Sequence, residues 1–160
     1  MDGTSNDKSD QSFDVIIYTD GACVGNPGPG GWACILEHPK TGVRRKLSGG
    51  ARQTTNNRME LQAVIEGLRA LKKPCRVKVV TDSQYVAVGM TEWVHNWIKY
   101  NWRRGKKANS QPVKNVEYWQ ALVELCKPHD VTFQHVRGHS GHPENEECDR
   151  MAVAESLRFR

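Results

Sequence analysis

Four acidic residues in this chain stand where packing alone would not place a charge. They are Asp20, Glu60, Asp82 and Asp149. Asp20 closes an apolar run at residues 15–18, and Asp82 closes a second β-rich run at residues 77–80. The other two acids lie in segments of helical character. Carboxylate oxygens are the ligands that Mg²⁺ and Mn²⁺ prefer, and these ions commonly keep open positions for a phosphate. The four acids therefore predict a site for a hard divalent cation.

The runs before Asp20 and Asp82 predict two buried strands. If these strands are parallel neighbours, their ends lie about 4.8 Å apart and both carboxylates share one edge of the sheet. That edge is where open α/β sheets bind ligands. Glu60 is placed on the helix face of Val64 and Gly67, which directs it toward the sheet, and Gly67 lets the helix pack closely.

Carboxylates at such proximity repel one another, and bound cations relieve the repulsion. Two cations about 3.5–4 Å apart can activate a water and stabilise the leaving oxygen of a phosphoryl displacement. Each acid alone has a plainer explanation. An Asp at a strand end before a glycine is usually a turn former, and a Glu in a first helical turn usually complements the helix dipole.

Hydrophobic periodicity predicts one mixed α/β domain, with strands in the order βββαβ followed by helices, a fifth strand and a last helix. Three antiparallel strands would carry two parallel strands across helical connections. The predicted strands are 13–19, 32–37, 43–48, 76–81 and 130–136, and the predicted helices are 57–72, a short one from 83, 91–98, 113–127 and 143–157. Residues 25–31 are expected to form a turn.

Composition limits the classes of protein to consider. The chain has 160 residues and a net charge of +5, and the acidic cluster makes the remainder more basic still, which suits a polyanionic partner. Residues 1–12 predict a disordered tail, which leaves 13–160 as the domain. The five cysteines form no CxxC pair, which favours free thiols in a reducing cytoplasm, and no apolar run approaches membrane-spanning length.

The strings around the acids are long and unusual. They are YTDGACVGNPGPGGWA, TTNNRMELQA, TDSQYV, WVHNWIKYNW, PVKNVEYW and VRGHSGHPENEECDRMA. In this order and at these spacings they resemble bacterial type I ribonuclease H over roughly residues 13–157. The resemblance implies a ribonuclease H-like fold with a five-stranded mixed sheet flanked by helices.

The resemblance also implies an activity. The family hydrolyses the RNA strand of RNA–DNA hybrids and leaves 5′-phosphate and 3′-hydroxyl ends, using two Mg²⁺ ions for which Mn²⁺ can substitute. Its four metal-binding carboxylates fall on the four acids above, and its catalytic-loop histidine falls on His139. A histidine between glycines can reach in to move a proton, since its pKa lies near working pH. A loop-stabilising role is the plainer alternative, and His95, His135 and His142 are interpreted as structural.

Candidate substrate contacts form three groups. The first is the glycine-rich backbone beside Asp20 together with a polar helix start, which suit sugars and phosphates. The second is Gln84, by resemblance a minor-groove contact, and Trp93, which can stack on sugar. The third is the basic stretch at 99–107, which resembles the family's protrusion that grips the DNA strand. The candidates are Cys23, Gly25, Asn26, Thr54, Thr55, Asn56, Asn57, Gln84, Trp93, Lys99, Trp102, Arg103, Arg104, Lys106 and Lys107. The alternatives are a plain helix cap, a solvated charge run and, for the tryptophans, core packing, which is favoured for Trp97 and Trp119.

Three other functions are weighed. A DNA-strand enzyme of the same superfamily is disfavoured by the GNPGPGG, TTNNRME and His139 motifs. A silent hybrid-binding module would have lost a carboxylate, and none is missing. The Met1 start and complete protrusion favour a free-standing enzyme over a piece of a reverse transcriptase. We expect a cytoplasmic monomer that acts on RNA–DNA hybrids, binds no membrane, and is open to recruitment by replication proteins.

Overall fold

A computed structural model describes residues 10–107, 109–138 and 142–160. The strands are β1 (Val15–Cys23), β2 (Gly28–Glu37), β3 (Arg44–Thr54), β4 (Arg76–Thr81) and β5 (Asp130–His135). The helices are α1 (Asn56–Arg69), α2 (Gln84–Val88), α3 (Val94–Lys99), α4 (Val116–Cys126) and α5 (Pro143–Arg158), with a 3₁₀ turn at Asp10–Ser12 and a π-helical turn at Gly89–Trp93.

The five strands form one mixed sheet in the order β3-β2-β1-β4-β5. The first three strands pair antiparallel, and β4 and β5 add in parallel on the other side of β1. The predicted fold class is therefore confirmed. Parallel neighbours require a crossover connection. Helix α1 lies in the connection that leads to β4, and α2, α3 and α4 lie in the connection from β4 to β5.

Side chains of the central strand alternate between two hydrophobic clusters, one on each face of the sheet. Ile17 belongs to the larger cluster, where it meets α1 and α4 through residues such as Leu61 and Trp119. Ile16 belongs to the smaller cluster, which α5 covers with Ala152. Successive strand residues point to opposite faces, which explains why the run at 15–18 is apolar throughout.

Helix α1 begins at Asn56, one residue before the predicted start. Thr55 is its N-cap, and the Thr55 side chain accepts a hydrogen bond from the Arg58 backbone N–H. The apolar stripe is buried as expected, with Leu61, Val64 and Leu68 each at most 2% exposed. The helix ends at Arg69, three residues before the predicted end, because its last turn closes on Ala70.

Strands β2 and β3 are longer than predicted. Residues 28–31 belong to β2 and not to a turn, and β3 continues past Ser48 to Thr54. Glycine-rich sequence carries no β-branched signal, so these ends escape a propensity-based prediction. Pairing imposes the strand, since Gly28 stands opposite Thr54 and Gly31 opposite Gly50.

Part of the predicted N-terminal tail is ordered. Asp10–Ser12 forms a 3₁₀ turn, and Asp10 is only 7% exposed. Its carboxylate lies 2.5 Å from Lys78 Nζ, in a pair whose side chains are both largely buried. The prediction of disorder is therefore wrong for residues 10–12, because an ion pair to β4 holds them; residues 1–9 lie outside the described part of the chain.

The second half of the chain keeps its predicted elements with shifted bounds. The segment predicted as one helix at 91–98 is a π-helical turn followed by α3. The helix predicted from residue 113 begins at Val116, after Asn115, which adopts a left-handed φ of 60°. None of the helices in the described ranges is long and apolar enough to cross a membrane.

Gly67 allows α1 to approach β1 closely. A Cβ atom at this position would lie 2.8 Å from Ile17 Cγ2. We expect Gly67→Ala to destabilise the fold by about 1–2 kcal/mol in urea unfolding, because overpacking outweighs the usual helical advantage of alanine. Gly105→Ala, with nothing within 4 Å of its Cβ, serves as the control and should stay within about 0.5 kcal/mol. A stabilising Gly67→Ala would mean that α1 can move away from β1.

Candidate active site

Asp20 and Asp82 meet at one edge of the sheet. Thr19 pairs in parallel with Thr81, and Asp20 and Asp82 directly follow these two residues. The two acids therefore share one edge as expected, but Asp20 does not end its strand, because antiparallel pairing with β2 continues β1 to Cys23. Asp20 is only 5% exposed, and its Oδ1 accepts a hydrogen bond of 2.8 Å from the Gly21 backbone N–H.

Glu60 reaches the same edge from α1. Gly21 makes this approach possible, because a Cβ there would stand 2.5 Å from the Glu60 backbone nitrogen and 2.6 Å from the Met59 carbonyl carbon. The first turn of α1 thus packs directly on the backbone of β1. Glu60 is 6% exposed as a result, and its carboxylate faces Asp20 instead of water.

The three carboxylates form a compact oxygen cluster. One ligand oxygen from each of Asp20, Glu60 and Asp82 lies within 4.8 Å of the other two. Glu60 Oε1 is buried and has no hydrogen-bond partner among the described residues. A buried carboxylate oxygen without a partner is costly, and an all-oxygen donor set suits a hard cation. The residues present therefore fit a divalent metal ion.

The electrostatics of the cluster point the same way. Burial, reinforced by the charges of Asp82 and Asp149, raises the pKa of Asp20 from 3.8 to about 8. Burial and the charge of Asp20 raise the pKa of Glu60 well above its usual value. Without a cation the cluster resists full ionisation, because several negative charges share one poorly solvated space.

Asp149 joins the site from α5. It lines one depression together with Asp20 and Asp82, although its oxygens are not part of the set within 4.8 Å. The sequence reasoning missed five further residues of this depression, which are Arg137, Gly138, His142, Asn145 and Glu146. His142, interpreted from sequence as merely structural, therefore borders the site.

Asn145 is the buried member of that missed group. It is 9% exposed, and its Nδ2 donates to the carbonyl oxygens of Val80 at 3.3 Å and Thr19 at 3.5 Å. A signal for it exists in the sequence, since residues four apart share a helix face and Asn145 precedes Asp149 by four. His139 lies outside the described residues, so its predicted role stays a prediction.

The first group of predicted substrate contacts assembles beside the acids. Asn26 Oδ1 accepts a hydrogen bond of 2.9 Å from the Asn56 backbone N–H, so the loop after β1 meets the start of α1. Gly25, Asn26, Asn56 and Asn57 are exposed there, and Cys23 and Thr55 are half-buried. Thr54 departs from the prediction: it is 3% exposed, so its hydroxyl is not presented at the surface.

The second group lines an apolar groove. Gln84 and Trp93 border it together with Tyr85 and Val88. Trp93 is 38% exposed and packs edge-on against Tyr85 with ring centroids 5.9 Å apart. Trp119 is fully buried, as expected from the sequence.

The third group forms the protrusion, defined as residues 99–112 apart from the undescribed residue 108. A bridge joins Arg103 to Pro112, and the Arg104 backbone N–H donates to the Gln111 carbonyl oxygen at 2.9 Å. The cations are exposed, namely Lys99, Arg103, Arg104, Lys106 and Lys107. Trp102 is half-buried and packs against the larger core cluster, and its role as a substrate contact stays a prediction.

Comparison with known proteins places this fold and site in one family. The family model described as RNase H matches residues 12–156. A ribonuclease H from Rhodopirellula baltica is 52% identical over 92% of this chain and 94% of its own length. One from Bordetella pertussis is 58% identical over 86% of each chain. The solved structure of LC9-RNase H1, a type 1 RNase H, is 37% identical with a TM-score of 0.80, over 91% of this chain and 73% of that one.

A mixed five-stranded sheet with carboxylates clustered at the ends of its central strands defines the ribonuclease H-like class of nucleases. The chain belongs to the ribonuclease H family. Members of this family are endonucleases that hydrolyse the RNA strand of RNA–DNA hybrids.

The raised pKa of Asp20 makes the stability of the metal-free protein depend on pH. Between about pH 4 and about pH 8 the folded protein binds more protons than the unfolded chain, so its stability falls as the pH rises through this range. We expect Asp20→Asn to stabilise the chelated protein at pH 8 by more than about 1 kcal/mol, and to do little at pH 4. Thermal unfolding in chelator at both pH values measures this difference.

Glu92→Gln is the control for that comparison, because Glu92 is an exposed carboxylate and its neutralisation should leave the pH dependence unchanged. If Asp20→Asn unfolds at the same temperature as the parent at pH 8, then burial and repulsion of the ionised Asp20 side chain do not destabilise the folded protein.

Proposed function

We propose that this chain cleaves the RNA strand of RNA–DNA hybrids at the acidic edge of its sheet, leaving 5′-phosphate and 3′-hydroxyl ends. The observation that carries the proposal is the cluster of Asp20, Glu60 and Asp82 oxygens within 4.8 Å, with Asp149 in the same depression. Holding several carboxylates together in a poorly solvated space costs free energy. Groups perturbed in this way cluster at functional sites.

The four carboxylates are proposed as the metal ligands, and the metal as Mg²⁺, with Mn²⁺ as a substitute. Hard oxygen donors support this choice. Two bound ions would supply the activation of a water and the stabilisation of the leaving oxygen. Asp20 and Asp82 would hold the ions and the region of the scissile phosphate, Glu60 would help hold the ion that stabilises the leaving group, and Asp149 would complete the coordination for the attacking water.

His139 is proposed to move a proton or assist product release. It directly follows Gly138 in the sequence, and Arg137 and Gly138 border the depression. A neutral imidazole near its ordinary pKa can accept a proton at working pH, which the carboxylates cannot do once they hold cations.

Recognition of the hybrid is divided between two surfaces. The loop after β1 and the start of α1 present exposed Gly25, Asn26, Asn56 and Asn57 beside Asp20, which supports reading of 2′-hydroxyls across a shallow minor groove. Gln84 is proposed as a further minor-groove contact, Trp93 beside it as a stacking contact to sugar, and the cations of the protrusion as the residues that hold the DNA strand. Phosphates are neutralised by lysine and arginine regardless of sequence.

A single chain provides every proposed site residue, which supports action as a monomer. The five cysteines all fall within the described residues and none is in a disulfide, which supports a reducing cytoplasm as the location. Recruitment by replication proteins is a further proposal.

Cleavage of a labelled RNA–DNA hybrid in Mg²⁺ tests the function. We expect cutting of the RNA strand alone, none of RNA–RNA or DNA–DNA duplexes, and none in chelator. Asp20→Asn should lower the rate at least about 1,000-fold while hybrid binding persists, because it removes a charged ligand and leaves the basic surface intact. Glu92→Gln is again the matched control.

Cutting of double-stranded DNA would instead favour a DNA-strand enzyme on the same fold. Tight hybrid binding without any cutting would favour a silent binding module. Undiminished activity of Asp20→Asn would remove Asp20 from the metal site.

The protrusion is tested through the salt dependence of hybrid binding. Replacing Arg103, Arg104, Lys106 and Lys107 with alanine should weaken binding and reduce the slope of log K against log salt by roughly one for each lost phosphate contact. A matched control removes four exposed cations from loops at the opposite edge of the sheet, namely Lys40, Lys72, Lys73 and Lys127. Equal slopes for the two variants would show that the protrusion does not contact phosphates.

A further inference from the structure

A buried ion-pair network lies on the side of α5 that faces β2 and β3. Glu37 at the end of β2 stands directly opposite Arg44 at the start of β3. Arg44 Nε and Nη2 both donate to Glu37 Oε2 at 3.2 Å, and Nη2 also donates to Glu144 Oε2 at 2.6 Å. One guanidinium therefore joins two strands to the first turn of α5.

The two carboxylates of this network depend on Arg44. The Glu37 side chain is 3% exposed and that of Glu144 is 7% exposed, whereas Arg44 is 34% exposed. Tyr18 adds a hydrogen bond of 3.3 Å from its hydroxyl to Glu37 Oε1. Burial and the charges of Glu144 and Glu37 raise the pKa of Tyr18, so it stays a neutral donor. Without Arg44, two buried negative charges would face each other uncompensated.

The same helical turn borders the acidic site. Glu144 is followed by Asn145, whose amide donates to the carbonyl oxygens of Thr19 and Val80. Thr19 is the residue before Asp20, and Val80 lies two residues before Asp82. The first turn of α5 is thus held by Arg44 on one side and by the strand ends on the other, and Asp149 follows one turn later.

We propose that Arg44 is a positioning residue for the acidic site: by fixing Glu144, it sets the place of Asp149 relative to Asp20 and Asp82. Arg44 does not line the depression, so it acts through α5 and not by contact with substrate. This inference rests on the proposed metal-dependent cleavage, since it assigns the placement of one of its ligands.

A neighbouring ion pair on the same two elements provides the matched control. Lys46 on β3 pairs with Glu147 on α5, but their side chains are 52% and 27% exposed. Exposed pairs contribute little, because water screens them and competes for both groups. Loss of Lys46 therefore removes a β3–α5 contact without leaving a buried charge.

The test is a calorimetric titration of metal-free protein with Mg²⁺, together with the KM for the hybrid. We expect Arg44→Ala to raise the Mg²⁺ dissociation constant roughly ten-fold, as removal of groups that orient metal ligands commonly does, and to leave KM unchanged. Lys46→Ala should change neither. In an Asp149→Asn background the effect of Arg44→Ala on Mg²⁺ binding should disappear, because Arg44 acts on the metal only through Asp149.

An unchanged dissociation constant for Arg44→Ala, an equal rise for Lys46→Ala, or a full effect in the Asp149→Asn background would each overturn the inference. If Arg44→Ala does not fold, Arg44→Lys carries the same test, because lysine keeps the charge but lacks the planar fork that bridges both carboxylates. A parent protein that binds Mg²⁺ but does not cut the hybrid would contradict the proposed function and leave the positioning role of Arg44 to be decided by calorimetry.

Discussion

Repulsion among carboxylates that share one poorly solvated space is the constraint around which this fold is arranged. Asp20, Glu60 and Asp82 would separate if their elements could move, since burial and mutual charge already raise the pKa values of Asp20 and Glu60. They stay together because strand pairing and helix packing fix the backbone that carries each of them. The β1–β4 ladder fixes two of them, and the packing of α1 on Gly21 fixes the third. The core on both faces of the sheet supplies the free energy that this arrangement costs.

The parts of the site that sequence predicts are those governed by local rules. Asp20 and Asp82 follow apolar runs, and Glu60 flanks a stripe with helical period, so strand-end and helix-face arguments place them without the structure. The glycine-rich ends of β2 and β3 become strands only through pairing, which no local propensity records. Asn145 gains its importance from the carbonyls of two strands far away in sequence. The burial of Thr54 and the half-burial of Trp102 are likewise decided only by the tertiary fold.

Charge is distributed over the molecule in a way that separates binding from chemistry. The cations of the protrusion are exposed to solvent, which suits contacts with phosphates that do not depend on base sequence. The acids differ in exposure, because Asp20 and Glu60 are buried and Asp82 and Asp149 are half-buried. Trp102 links the core to the protrusion, since it packs against the larger core cluster while the residues after it carry the exposed positive charge. A basic body thus attracts the polyanion, and an acidic edge accepts the cations on which cleavage depends.

The fourth carboxylate is held by polar side-chain contacts in addition to packing. Backbone ladders and apolar packing locate Asp20, Glu60 and Asp82. Asp149 lies on α5, which packs on the smaller core cluster through Cys148 and Ala152, and the first turn of α5 is also held by polar contacts to Arg44 and to the strand-end carbonyls. Side-chain contacts are directional and can be altered one at a time, whereas a ladder cannot. The position of Asp149 is therefore the part of the site that substitutions remote from the substrate can adjust most readily, without dismantling the sheet that supports the rest.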